Sequence, residues 1–273
     1  MRIQRKFCIL PGMKRFLPIL LLALLLPGFS PLAAQSLLRR LSTAHGEFWT
    51  RAFGDSRWRE RRIGIVVVKQ RRMLHVVRQG ARRDTVATFP VCAMPTTPGF
   101  KAREGDGRTP EGIYRIPLLN PSSSFHLSMK LDYPNAVDNA RHARQSRLAG
   151  GRWSQGGDIY IHGDCASIGC IAMTDEVIEK LYLLVASLPA GRRQLRVLVL
   201  PFDTDAQYEQ MYIHADTTYR EHGDAYWLLL RDHMQNMRAL WNYYMRTGRI
   251  PDAVAARDGT YVIPRDDGGG TAP

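Results

Sequence analysis

The sequence predicts a mainly β domain with a C-terminal α-helical extension, and three observations lead there. From Ile63 onward, runs such as "IGIVVVKQRRMLHVV" and "DTVATFPVCAM" are rich in β-branched residues and bounded by Gly, Pro and charged turns, a composition suited to a pleated, half-buried surface. "QLRVLVLPF" closes that stretch as one more buried strand. Beyond Phe202 the texture becomes helical: Tyr226, Trp227, Leu230, Met234, Met237, Trp241 and Tyr244 recur at helical spacing, a wide apolar stripe on a helix of roughly 22 residues. With 273 residues, 45% hydrophobic and 23% charged, the chain is long enough for one sizeable core and a small second unit.

The elements follow in order. "MKRFLPILLLALLLPGFSPLAAQ" has a basic start, an apolar run from Phe16 to Leu26 and small residues at Ala33 and Ala34, so residues 1–34 read as a secretory signal peptide cleaved after Ala34. The run is short of the roughly 20 residues that a bilayer span needs, which leaves an uncleaved anchor as the rival reading. Met13 alone would start a well-formed signal peptide, and Cys8 then has no role in the mature protein. Export places the protein in the periplasm. Residues 35–62 form a helical lead-in, 63–203 the β domain, 204–264 the helical extension and 265–273 a disordered tail.

Within the β domain, "DGRTPEGIYRIPLL" supplies a turn with Gly107, Pro110 and Gly112 before another short strand. Residues 120–157 are polar and broken by Asn120-Pro121, Pro134-Asn135 and Gly150-Gly151, which reads as a long loop with one strand around Leu127 to Tyr133. "DIYIH" is the next strand. Thr174 is an N-cap with Asp175 and Glu176 in the first turn, where the helix dipole favours acids. Val177, Ile178, Leu181, Leu184, Val185 and Leu188 follow at helical spacing, and Pro189 and Gly191 stop the helix. "DGTYVIP" suggests a last strand. The apolar stripe of the extension reads as core against the preceding domain, with a role in covering a groove as the sharper alternative.

The formal charge is +13. Losing residues 1–34 removes five basic residues and no acids, leaving +8. An exported basic protein meets anionic envelope polymers rather than nucleic acid, so no nucleic-acid partner is expected.

Three cysteines survive processing, Cys92, Cys165 and Cys170, and an odd number in an oxidising compartment leaves at least one thiol unpaired within the chain. Two of them fall in "IHGDCASIGCIAM", Ile161 to Met173, which admits three readings. A metal site would use His162, Cys165 and Cys170, but the spacing lacks a paired C-x2-C and a source for the fourth ligand, so no metal or cofactor is expected. A disulfide could join Cys165 to Cys170 or Cys92 to Cys165. The third reading is a nucleophile with its base. A free thiol with a pKa near 8.5 needs a neighbouring imidazole to ionise at neutral pH, and a tight return would bring His162 at a strand end close to Cys170. Gly169 would let the chain turn, backbone N–H groups around Ile168 to Cys170 would meet an oxyanion, and a carbonyl near Gly163 or the Asp164 side chain would orient the imidazole.

"IHG" followed by "S-x-G-C" resembles the catalytic motif of the YkuD-type L,D-transpeptidases, and "TPEG" at Thr109 to Gly112 is similar to another segment of that family. The resemblance covers roughly residues 63–202. It implies Cys170 as nucleophile, His162 as general base, Gly163 as the residue orienting it, and Ser167 and Gly169 as the oxyanion turn, on a β-sandwich or barrel with short helices. The substrate it implies is the meso-diaminopimelate stem peptide of peptidoglycan.

Two departures stand out. His162 and Cys170 are eight positions apart, about half the usual separation, and Ala172 occupies the position of the family's arginine. Both are similar to the YafK-type branch, as are "YPNA" at Tyr133 to Ala136, the Trp/Tyr-rich helix and "DGTYVIP". In that branch Cys165 belongs to the motif, so its presence need not signal a disulfide or a metal. The branch implies hydrolytic release of a murein-bound lipoprotein; forming 3,3-crosslinks or attaching protein to the wall is the alternative, and a non-catalytic wall-binding module a second. His126, His142, Tyr133, Asn135, Arg141 and Arg144 are further candidate substrate contacts.

Overall fold

The computed structural model describes residues 31–263 except 81 and 190–194. Residues 1–30 of the expected signal peptide and the tail at 265–273 lie outside that range; residues 31–34 open the first helix, α1 (Pro31–Phe53). The strands run in chain order β1 (Ile63–Val68), β2 (Met73–Arg78), β3 (Asp84–Pro90), β4 (Gly112–Arg115), β5 (Leu118–Ser123), β6 (His126–Lys130), β7 (Tyr160–His162), β8 (Ile171–Ala172) and β9 (Arg196–Leu200). They form a five-stranded sheet ordered β3-β2-β1-β9-β4 and a four-stranded sheet ordered β5-β6-β7-β8. Among the described residues, β1–β9 and β7–β8 are the parallel pairs. This is the mainly β domain that the sequence predicts.

Every residue of β1 is buried, because both of its faces are covered. Ile63, Ile65 and Val67 face a core shared with Leu127, Met129, Ile161 and Ile171 of the second sheet, with Leu41, Trp49 and Phe53 of α1, and with α3 (Asp175–Ala186). Val66 and Val68 face the other way. With Leu198 and Leu200 of β9 they meet Leu230, Met234, Met237, Trp241 and Tyr244 of α5 (Ala225–Thr247). The apolar stripe of the extension is therefore core. Helix α4 (Asp205–His222) packs beside α5, and a hairpin of β10 (Val254–Ala255) and β11 (Tyr261–Val262) follows.

The expected long loop is a correction. It holds β5 and β6, and then a full helix, α2 (Ala136–Ala149), capped by a capping box in which Asn135 accepts from the Val137 and Asp138 amides and Asp138 accepts from the Asn135 amide. Its buried residues are Val137, Asp138, Arg141 and Gln145. Apolar periodicity cannot reveal a helix that buries three polar side chains and one valine. Thr174 caps α3 as its sequence predicts, accepting from the Val177 amide.

Candidate active site

Strand β7 ends at His162, and β8 begins one residue after Cys170. The parallel register pairs Ile161 with Ile171 and His162 with Ala172, so one step back sets Cys170 beside Tyr160. Alternation then puts Cys170 and His162 on the same face of the sheet. The Tyr160 amide donates to Cys170 Sγ (3.4 Å), and the thiol donates to the Asp158 carbonyl (3.6 Å). Cys170 is a free cysteine, half-buried. Burial pushes its thiol pKa up, and the Asp158 charge adds to that, against the Tyr160 amide and the Lys101 ammonium.

His162 is 3% exposed. Its Nδ1 lies 2.6 Å from the Gly163 carbonyl. A carbonyl can only accept, so the proton is on Nδ1 and the Nε2 lone pair is the basic one. The Phe125 ring packs on the imidazole at 4.8 Å.

Gly163 has a steric reason to be glycine. A Cβ there would sit 2.5 Å from Asp175 Oδ1 and 3.0 Å from His126 Cβ. Its amide donates to the Phe125 and Leu127 carbonyls, and the Asp164 amide donates to Asp175 Oδ1 (2.9 Å), seating the loop on the start of α3.

The loop bends twice: at Gly163–Cys165, where Asp164 and Cys165 are both in the left-handed region (φ 59° and 27°), and again at Ile168–Cys170, around Gly169. A Cβ on Gly169 would meet only ordinary contacts, 3.5 Å to the Arg108 carbonyl and 3.6 Å to Ile159. The Gly169 amide donates to Ser167 Oγ (3.0 Å), whose hydroxyl donates to the Cys170 carbonyl (2.7 Å). Ser167 thus closes the turn on itself and engages one of the three amides expected to meet an oxyanion.

Cys165 is bonded to Cys92, with Cα atoms 5.1 Å apart. Of the two pairings open in the sequence, this is the one formed, and it makes Cys165 unavailable as a metal ligand. The Cys92 amide donates to the Ala172 carbonyl (2.8 Å), so the bridge ties the motif loop to the segment alongside β8. Ala172 itself is fully buried.

Most of the further candidate contacts have structural employment. Tyr133 is buried with its hydroxyl on the Gln155 carbonyl, Asn135 caps α2, Arg141 is 4% exposed and donates to the Gly259 carbonyl, and Arg144 pairs with Asp232. His126 pairs with Glu179, and His142 lies edge-on to Trp153. Absent from the sequence reading were Lys101 and Asp158, the two charges that act on Cys170. Nothing in their local sequence marks them.

The model of the L,D-transpeptidase catalytic domain, YkuD, matches residues 61–199. A protein of Escherichia coli strain K12 that carries the name of an L,D-transpeptidase, YafK, is 28% identical over 208 residues, covering 74% of each chain. Among solved structures, the helical cell shape determining protein Pgp2 from Campylobacter jejuni is similar at a TM-score of 0.38 and 15% identity, covering 70% of this chain and 72% of that one. Bd1075 of Bdellovibrio bacteriovorus is similar at 0.33 and 18%, covering 66% and 71%. The family-model match spans just over half of the 273 residues, and on it the chain belongs to the YkuD family of L,D-transpeptidase catalytic domains.

Proposed function

We propose that this protein is an exported, periplasmic cysteine enzyme that cuts an amide on the meso-diaminopimelate stem peptides of peptidoglycan through a Cys170 thioester, releasing a murein-bound lipoprotein. The observation that carries the reading is the free Cys170 thiol on the sheet face used by His162, an imidazole whose Nδ1–H is committed to the Gly163 carbonyl. Cys170 gives its proton to His162 Nε2 and its sulfur attacks the amide carbonyl. The tetrahedral intermediate expels the amine, which takes that proton from His162. Water then gives a proton to His162 and attacks the thioester, and the thiolate leaves and is reprotonated.

Hydrolysis is favoured over transfer by the short return between His162 and Cys170 and by the buried Ala172. A guanidinium at that position would grip a carboxylate, and a methyl group does not. Ile168, 90% exposed, and Phe125, 44% exposed, offer apolar contact to an aliphatic stem side chain.

The test incubates purified protein with peptidoglycan carrying bound lipoprotein and resolves the muropeptides. Loss of lipoprotein-modified stems without new crosslinks, and no change with Cys170→Ala, is the expected result. New diaminopimelate–diaminopimelate dimers would make it a transpeptidase, and undiminished activity of Cys170→Ala would remove the nucleophile.

A further inference from the structure

Away from the nucleophile's loop, a polar constellation lies buried between the five-stranded sheet and α5. Lys69 follows β1, Glu111 precedes β4 and His233 lies within α5; all three side chains are at 0% exposure. Burying such groups is costly unless each is paired and hydrogen-bonded. Lys69 Nζ donates to Glu111 Oε1 (2.7 Å) and to the carbonyls of Thr97 (2.7 Å) and Thr109 (3.0 Å). Glu111 Oε1 also accepts from the Gly99 amide (2.8 Å), and Nε2–H of His233 donates to Oε2 (2.9 Å). The ammonium pins both ends of the segment 97–109, the carboxylate pins Gly99, and the helical extension supplies the donor for the second carboxylate oxygen.

The same helix packs on that segment. Gly99 has φ +114°, and a Cβ there would meet Leu230 at 2.9 Å and the Tyr226 hydroxyl at 3.2 Å, so only glycine fits. Phe100, 2% exposed, packs on Tyr226 (5.3 Å) and edge-on to His233 (5.7 Å). At its other end the segment abuts the nucleophile's turn through the Arg108 carbonyl beside Gly169. Between these anchors Asp106 accepts from the amides of Ala102, Arg103 and Arg108 and from Lys101 Nζ (2.7 Å), holding Lys101 at 7% side-chain exposure. Lys101 is the cation that favours the Cys170 thiolate.

We propose that His233 is a positioning residue for Cys170: through Glu111 and Lys69 it holds segment 97–109, with the Lys101 ammonium that Asp106 fixes within it, against the Ser167–Cys170 turn. The helical extension is then a working part of the active site as well as a cover for the sheet. The proposal rests on Cys170 being the nucleophile, but its test reads the thiol directly and needs no substrate. The groups that bear on the thiol are the Lys101 ammonium of the segment and, beside β7, the Asp158 carboxylate and the Tyr160 amide; Asp106 pairs with Lys101, Lys130 pairs with Asp158, and His162 shares the sheet face of Cys170.

The measurement is the rate of alkylation of Cys170 by iodoacetamide against pH, in the full chain, read by mass on the Cys170 peptide, with the melting temperature recorded for each variant. His233→Leu is expected to slow alkylation at pH 8 by about threefold, the scale of one partly screened charge, and to move the midpoint upward. His233→Gln, which keeps a donor for Glu111, is expected to restore it. Lys101→Met is expected to reproduce the loss and serves as the second variant where His233→Leu does not fold. An unchanged profile in folded His233→Leu, or in Lys101→Met, overturns the proposal. A shifted profile in a protein inert on peptidoglycan would leave it standing and remove the functional reading instead.

Discussion

Gly163 and Gly169 look alike in the motif, and the structure separates them. A Cβ on Gly163 would come 2.5 Å from Asp175 Oδ1, while one on Gly169 would make only ordinary contacts. Gly163→Ala should therefore cost about 1–3 kcal/mol of stability by overpacking, and Gly169→Ala well under 1 kcal/mol; equal melting temperatures for the two variants would contradict this. The Cys170 thiol is raised by burial and then by Asp158, so its alkylation should rise with pH through a midpoint above that of a free thiol. Asp158→Asn removes a negative charge that opposes the thiolate, and the midpoint should move down. An upward or absent shift would show that the Asp158 charge does not reach the sulfur.

At the scale of elements, α5 is tied to the sheet by apolar packing and by the Glu111 carboxylate. Burial first, and then the Arg141 charge, hold His233 down to about 4, although Glu111 pulls it up. A histidine depressed on folding favours the folded chain fully above its unfolded value, about 6.5, and the unfolded chain binds the extra proton as pH falls from there to about 4. Stability should thus decline on acidification across that window. For Glu111, burial raises the carboxyl, but Lys69 and His233 outweigh it and hold it to about 2, so the decline continues below the usual carboxylate range. Melting temperatures between pH 7 and pH 4 should fall less steeply for His233→Gln than for the native protein, and identical slopes would count against the assignment. Helix α2 carries a lesson at this scale: its Asn135–Asp138 capping box is visible in the sequence, but its buried face is polar, and a reading that follows apolar spacing passes over it.

For the whole molecule, the Cys92–Cys165 bridge is a long-range covalent constraint, joining positions 73 apart. Its loss should cost about 2–5 kcal/mol and release the left-handed Asp164–Cys165 turn beside the site. Cys92→Ser in the full chain should melt earlier and alkylate Cys170 at an altered rate; an unchanged alkylation rate would show that the Gly163–Asp175 contacts hold the loop alone.

The sequence by itself determined the β-rich run from Ile63, the apolar stripe of α5, the cap at Thr174 and the motif that names His162 and Cys170, because each is written in residues within a few turns or one strand of each other. Only the tertiary structure decided which cysteine Cys165 joins, that Arg141 and Arg144 are spent on structure, and that Glu111 meets His233 across 122 positions. Those outcomes depend on which faces the sheets turn toward one another, and a buried charge reveals its partner only once the chain has brought the two together.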